Sequence, residues 1–456
     1  MLNKNGQSKK YKAYALRSFR KIPQVEKYLS EEEKTNIEVL GQVLPFKTNN
    51  YVVDELIDWN NYKDDPIFHL TFPQKGMLPP EEFDKMAEAL KSGKKRMELK
   101  AIANEIREKL NPHPAHQMQM NVPELNGEVL PGVQHKYRET ALFFPTAGQT
   151  CHSYCTFCFR WPQFVGMDGM KFAMKETDII IDYLAEHPEI TDILFTGGDP
   201  MIMGYKIFKQ YIDPFIKNKD KTNLQTIRIG TKSLSFWPYK YTTDKDADKF
   251  IELFKEITEA GFSLAFMAHF NHPVELSTPT VKEAAKRIQS TGAVIRTQSP
   301  LVRHINDCPD IWAEMWKKQV NLGMIPYYMF IERDTGAKAH FELPLVETWH
   351  IFRKAYQQVS GLSRTVRGPS MSATPGKVQI LGVTKIPVNG KMEKVFALQM
   401  LQGRNPDWVA KPFFAKYDPE AYWLDDLKPI AGEKFFFDEE LEKMKNEALA
   451  TEDALA

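Results

Sequence analysis

From residue 140 onward the chain alternates short apolar runs with longer amphipathic stretches. The runs at 141–144, 192–195, 226–229, 263–268, 293–297 and 324–330 predict strands. The stretches at 176–187, 207–216, 246–260, 281–291 and 311–322 repeat their apolar positions at helical spacing and predict helices. Six strands alternating with helices imply right-handed βαβ units and a parallel sheet. The fold class is therefore α/β, and the count suits a partial (βα)6 barrel better than a closed eight-stranded one.

The flanks read differently. Residues 1 to about 110 are expected to be mainly helical. Ser30 stands as a helix N-cap with Glu33 three residues on, and 80–110 is rich in Glu, Lys, Ala, Met and Leu. Asp64-Asp65-Pro66 and Phe72-Pro73-Gln74-Lys75-Gly76 interrupt this region as loops. A Pro-, His- and Asn-rich stretch from 111 to 132 reads as a surface linker. After the barrel a helix at 343–359 leads to strands at 378–383 and 394–401. An acidic, Ala-rich end at 438–456 reads as a helix that frays. The organisation expected is a helical region and linker (1–132), a barrel core (133–342) and a C-terminal region (343–456), with no internal repeat.

Composition narrows the function. Of the 456 residues, 43% are hydrophobic and 26% charged, an ordinary globular balance. The formal net charge of +1 gives no electrostatic footprint for nucleic acid. The basic positions Lys9, Lys10, Lys12, Arg17, Arg20 and Lys21 read as a solvated arm. No apolar stretch approaches the roughly 20 residues of a membrane span. The first thirty residues lack the apolar core of a signal peptide. The expectation is a soluble, cytoplasmic protein.

Three of the four cysteines crowd into Cys151-His152-Ser153-Tyr154-Cys155-Thr156-Phe157-Cys158, directly after the first predicted strand. Parallel α/β folds bind ligands at that carboxyl end. Thiolates ligate iron–sulfur clusters, which ordinarily take four; three leave one iron open, as a catalytic centre requires. Phe157, Phe159 and Trp161 would give an apolar surround. Two alternatives stay open here: a structural zinc site completed by His152, and chance grouping of buried thiols. Cys308 stands apart as a buried spectator.

The Cys-x3-Cys-x2-Cys spacing resembles the signature of radical S-adenosylmethionine enzymes. The chain from about Asp64 to about Pro419 resembles the lysine 2,3-aminomutase family among them. The matching pieces are Asp65-Pro66-Ile67, His135-Lys136-Tyr137, Cys158-Phe159-Arg160, Thr196-Gly197-Gly198-Asp199-Pro200, Arg228-Ile229-Gly230-Thr231, His269-Phe270-Asn271-His272-Pro273, Thr297-Gln298-Ser299 with Asn306-Asp307, Pro326-Tyr327-Tyr328 and Pro375-Gly376-Lys377. The resemblance implies a [4Fe–4S] cluster on Cys151, Cys155 and Cys158, with S-adenosylmethionine chelating the open iron. Gly197 and Gly198 would let backbone approach that ligand, Asp199 would accept from its amine, and His269, Asn271, Gln298 and Ser299 would contact the nucleoside.

The family also uses pyridoxal 5'-phosphate. Lys377 matches the lysine that carries its aldehyde, and Lys136, Tyr137, Arg138 and Arg228 are the candidates for its phosphate. Arg160 matches the arginine that grips the substrate carboxylate. The activity implied is transfer of an α-amino group to the β-carbon of a free amino acid. A one-electron reductant such as flavodoxin or ferredoxin and a homo-oligomeric state are implied with it. The chain departs from the family at the lysine loop, where Ala373-Thr374-Pro375-Gly376 replaces a glycine run. It departs again at Ser370, where the lysine enzymes place one of two aspartates for the substrate's distal amine; the other falls at or beside Arg333-Asp334. A serine cannot replace a carboxylate against a buried ammonium, so free L-lysine is expected to be a poor substrate. The competing reading is a radical enzyme without pyridoxal phosphate, acting on a peptide or modified amino acid as an oxidoreductase or transferase.

Overall fold

The computed structural model describes residues 9–114, 117–167, 169 and 172–455. Its centre is one eleven-stranded sheet. The strands are β1 (Val133–Tyr137), β2 (Thr140–Phe143), β3 (Asp192–Phe195), β4 (Thr226–Thr231), β5 (Ser263–His269), β6 (Val294–Leu301), β7 (Ile325–Ile331), β8 (Arg367–Ser372), β9 (Gly376–Val388), β10 (Lys391–Gly403) and β11 (Pro412–Lys416). They lie side by side in chain order. Strands β2 to β8 are parallel; β1 and β9 to β11 are antiparallel to their neighbours.

The helices α1 (Glu31–Val43), α2 (Pro80–Lys91) and α3 (Arg96–Glu108) precede the sheet. Between the parallel strands run α4 (Asp178–Glu186), α5 (Tyr205–Lys217), α6 (Ala247–Glu259), α7 (Pro279–Gln289), α8 (Pro309–Asn321) and α9 (Leu345–Gln357). Six βα units are thus followed by a seventh parallel strand, β8, which the hydrophobic pattern did not reveal. Helix α10 (Asp438–Leu455) lies at the end.

The periodicities explain this layering. Helix α5 buries Phe208, Tyr211, Ile212 and Phe215, one face at i, i+3, i+4 and i+7. Phe208 and Phe215 meet Phe195 of β3 at 6.2 and 5.5 Å between ring centroids. Helix α6 repeats the arrangement with Phe250, Leu253, Phe254 and Ile257. Each such side chain contributes about 1.5–3 kcal/mol on burial. On β4, Ile227 and Ile229 join this outer core, so the intervening Arg228 points into the barrel.

Residues 9–110 form short helices joined by turns, with one short antiparallel pair, Ala13–Ala15 with Lys47–Asn49. The expected capping box is present: Ser30 Oγ accepts from the Glu33 N–H, and the Ser30 N–H donates back to the Glu33 carboxylate. The stretch read as a plain linker carries a short helix, Gln117–Asn121, and a two-residue hairpin, Glu124–Leu125 with Glu128–Val129. Strands β9 and β10 join the barrel's own sheet, and the Lys136 ammonium on β1 reaches across to the Ala373 carbonyl at 2.5 Å, drawing the two flanks together. No helix among the described residues is long and apolar enough to cross a membrane.

Candidate active site

The cysteine loop follows β2 and is held mostly through its main chain, from upstream residues. Lys47 Nζ donates to the Cys151 carbonyl (2.6 Å), and Tyr11 and Asn49 donate to the His152 carbonyl (2.7 and 3.1 Å). The Tyr154 N–H reaches the Lys47 carbonyl, and the Thr156 N–H reaches that of Leu70. The Asp199 N–H donates to the carbonyls of Gly148 and Thr150, tying in the loop after β3. These bonds leave the sulfurs free while fixing the backbone that carries them.

Burial raises all three thiol pKa values, Cys158 to about 11, and the sulfurs of Cys155 and Cys158 add to the rise at Cys151. Desolvated thiols close together ionise readily only when a metal supplies positive charge. Phe157 and Trp161 are buried beside them. His269, at the carboxyl end of β5, lies 6.0 Å from the Phe157 ring, and its Nε2 has no hydrogen-bond partner. Among the described residues no three His, Cys, Asp or Glu side chains converge on a single ion. The His152 ring packs edge-on to Tyr11, and its buried Nδ1 makes no hydrogen bond. A cluster that gives each thiolate its own iron needs no such convergence.

Several residues expected to touch ligand are engaged by the chain itself. Asp199 accepts from Thr231 Oγ1 and from the N–H groups of Met201 and Lys232, so its carboxylate organises the loops after β3 and β4. A Cβ at Gly198 would overlap the Thr150 main chain, and one at Gly197, where φ is +128°, would meet the Gln149 side chain. The close approach these glycines allow is to the cysteine loop. Asn271 and Ser299 are buried and bonded to each other (2.8 Å); Asn271 also accepts from Lys232 Nζ (2.9 Å), which pairs with Glu275 (2.7 Å). Sequence reasoning passed over that Lys232–Glu275 pair. Gln298 and His269 remain half-buried at the ends of β6 and β5.

Inside the barrel the structure brings together Lys377, Arg228, Lys136, Tyr137 and Arg160. Lys377 on β9 lies over the rings of Tyr328 (4.1 Å) and Phe330 (5.4 Å) and donates to Gln402 (3.0 Å). Burial, reinforced by Arg228 and Arg367, brings its ammonium down to about 7. Arg228 is paired with Asp192 at 2.7 Å. Arg160 rests on Phe144 and Phe159 (4.6 and 5.0 Å), its pKa lowered to about 10 by burial and by Arg333. Arg138 is not part of this group: it sits exposed in the turn between β1 and β2, where the antiparallel pairing points it outward. Arg404 and Arg333 belong to the interior; Arg333 lies in the Arg333-Asp334 pair that the resemblance singled out, whereas Arg404 carried no local sequence signal. Cys308 is half-buried ahead of α8.

A parallel α/β sheet whose first β-to-α loop presents three clustered, desolvated cysteines defines a radical S-adenosylmethionine protein. A protein of Aquifex aeolicus described as "Putative L-lysine 2,3-aminomutase" is 30% identical over 407 residues, spanning 89% of this chain and 93% of its own. The chain belongs to the lysine 2,3-aminomutase family of radical S-adenosylmethionine enzymes. The L-lysine 2,3-aminomutase of Methanococcus maripaludis is 24% identical over 77% of this chain and 71% of its own, and that of Bacillus subtilis 28% over 51% and 46%. No protein-family model matches. Among solved structures, Streptococcus suis SuiB bound to S-adenosylmethionine superposes with a TM-score of 0.36 at 11% identity, over 63% of this chain and 60% of its own. The family implies a [4Fe–4S] cluster and S-adenosylmethionine, and Cys151, Cys155 and Cys158 fit the cluster.

Proposed function

We propose that the protein is a pyridoxal-dependent radical aminomutase that moves the α-amino group of a free amino acid to its β-carbon. The observation that carries this reading is Lys377: a desolvated amine with a pKa near 7, held over two aromatic rings in the same interior as Arg160 and the cysteine loop. When bound, the cluster and the sulfonium nucleoside supply a carbon radical, and the pyridoxal group supplies the conjugation that lets nitrogen pass between adjacent carbons.

The chain's own residues bind, orient and exclude water. Lys377 presents to an aldehyde an amine that is about half in its neutral form at pH 7. Lys136 and Tyr137, beside Arg404, suit a phosphate. Arg160, stacked on two rings, offers a fixed fork to an α-carboxylate. Tyr328 and Phe330 lie beneath Lys377 and shield its amine from water. Cys151, Cys155 and Cys158 hold the cluster, and His269 Nε2 is a free contact for the nucleoside. A one-electron reductant has to reach the cluster from outside. Free L-lysine is disfavoured, because Ser370 is wholly buried against the Met329 carbonyl and offers its distal ammonium no charge.

The test is anaerobic reconstitution with iron, sulfide and pyridoxal 5'-phosphate, followed by assay of 5'-deoxyadenosine release across a panel of amino acids. The expected result is release coupled to a β-amino product, with pyridoxal absorbance that Lys377→Ala removes while iron is retained. Turnover that needs no pyridoxal phosphate, on a peptide or modified amino acid, would overturn the reading.

A further inference from the structure

The cysteine loop has one cation acting on each of its three thiols. Lys47 acts on Cys151, Lys232 on Cys155 and Arg160 on Cys158, each opposing the rise that burial causes. Two of these cations have other tasks. Lys47 is half-buried and donates to the Cys151 carbonyl, and Arg160 is assigned to the substrate carboxylate. Lys232 has neither a solvated end nor a ligand to meet.

Lys232 follows β4. Its side chain is 8% exposed, and that of its partner Glu275, in the turn after β5, is 0% exposed. The ammonium donates to Glu275 (2.7 Å), to Asn271 Oδ1 (2.9 Å) and to the His269 carbonyl (3.3 Å). The Glu275 carboxylate also accepts from Ser235 Oγ and from the N–H groups of Asn271 and His272. Both ions are thereby fixed in place. The ammonium is on the side of the cysteine loop: His269, whose carbonyl it meets, has its ring 6.0 Å from that of Phe157. Among the charges around Cys155, Lys232 acts most strongly, ahead of Cys158, Glu275 and Glu332.

A buried ion pair seldom adds stability over apolar side chains of the same volume, so holding the fold does not account for this one. Reduction of a cluster adds one negative charge to a dry site that already holds thiolates. In a low dielectric a fixed cation nearby offsets that charge, and the potentials of iron–sulfur clusters follow the net charge around them. Glu275 weakens this field without cancelling it, because its charge is shared among four donors and ranks below that of Lys232 at Cys155.

We propose that Lys232, aimed by Glu275, sets the reduction potential of the cluster, raising it so that an external one-electron donor can reduce the centre. Lys232 acts through its field and not by touching substrate. The inference goes beyond the aminomutase reading, since it holds whichever amino acid is bound.

The experiment uses the full-length protein reconstituted with iron and sulfide, with no amino acid present. The reduced-cluster signal is followed by electron paramagnetic resonance during a potentiometric titration. Lys232→Met/Glu275→Gln, which removes both charges together, should shift the potential negative. The expected size is about ten-fold or more in the one-electron reduction equilibrium, about 59 mV for each factor of ten. Lys232→Gln, which keeps a donor for Glu275, should shift it the same way, and Lys232→Arg should restore most of the wild-type value. Iron and sulfide content should match the wild type in all three. A wild-type or more positive potential in the two variants that lack the cation would overturn the proposal. So would Lys232→Arg shifting as far negative as Lys232→Gln, since charge would then not be the cause. Failure of all three variants to take up a cluster would assign the pair to the fold and overturn the proposal as well.

Discussion

Lys47 and Cys151 stand 104 positions apart, yet the Lys47 ammonium donates to the Cys151 carbonyl at 2.6 Å, inside the segment that also holds His152, Tyr154 and Thr156. Losing that charged, part-buried bond costs about 1.5–3 kcal/mol in local loop stability. Lys47→Met is therefore expected to yield protein that folds but loses iron faster during chelator treatment. Iron and sulfide per chain, followed over time, check this; wild-type retention would remove the clamp from the account.

The three clustered thiols divide sharply from the fourth. Alanine at Cys151, Cys155 or Cys158 is expected to abolish the electron paramagnetic resonance signal of the reduced cluster. Alanine at Cys308, half-buried ahead of α8, should leave the signal intact.

Lys377 gives a pH signature. Its neutral form is the reactive one, and burial brings its pKa from the ordinary 10.5 to about 7. Borohydride trapping of pyridoxal 5'-phosphate on the protein should rise as pH increases through about 7 and level off well below pH 10. Trapping that climbs only near the ordinary lysine value would contradict the buried setting. Lys377→Arg should show no trapping at this site by peptide mapping.

Gly198 is fixed by packing. A Cβ there would run into the main chain of Thr150, which cannot swing aside as a side-chain tip could. Gly198→Ala is expected to destabilise the protein by about 1–3 kcal/mol. A lower midpoint of thermal or denaturant unfolding and poorer cluster retention would report it together.

His340 sets an acid limit. Its ring lies 4.6 Å from that of His304, which in turn stacks on His69 at 5.8 Å. Burial, then the two neighbouring rings and Arg303, lowers its pKa from 6.5 to about 4. Between those values the unfolded chain takes up a proton that the folded protein refuses, so the stability is intact above 6.5 and is lost as pH falls from about 6.5 towards 4. His340→Gln should narrow the gap between melting temperatures measured at pH 7 and pH 5. An unchanged gap would rule out this histidine as its source.

Much of this architecture was legible in the chain. The six apolar runs became β2 to β7 within a few residues of their expected ends, because buried apolar side chains recur along each, in alternation on β4 and β6 and nearly continuously on β5. The cysteine spacing and the Ser30–Glu33 cap were legible because their chemistry is local. Strand β8 was not: Arg367–Ser372 is polar, small and interrupted by Pro369, and only pairing with β7 and β9 makes it a strand. Arg404 was hidden for a related reason: it follows β10 and is placed by tertiary bonds to Thr374, Met120 and Asn121. The clamp on the cysteine loop used the carbonyls of Lys47, His69 and Leu70 as acceptors, and every residue type has a carbonyl. Asp199 was legible as important but not as to its partner, because the acceptors and donors it meets come from the next strand's loop.

The order of synthesis gives the clamp a further meaning. A ribosome adds about 5–20 residues per second and releases the amino end first. Lys47, Asn49 and Leu70 are therefore made before Cys151, but Asn49 also donates to the Phe236 carbonyl and the core around them includes Trp237, Val302 and Phe341, so the cradle closes only once most of the barrel has been made.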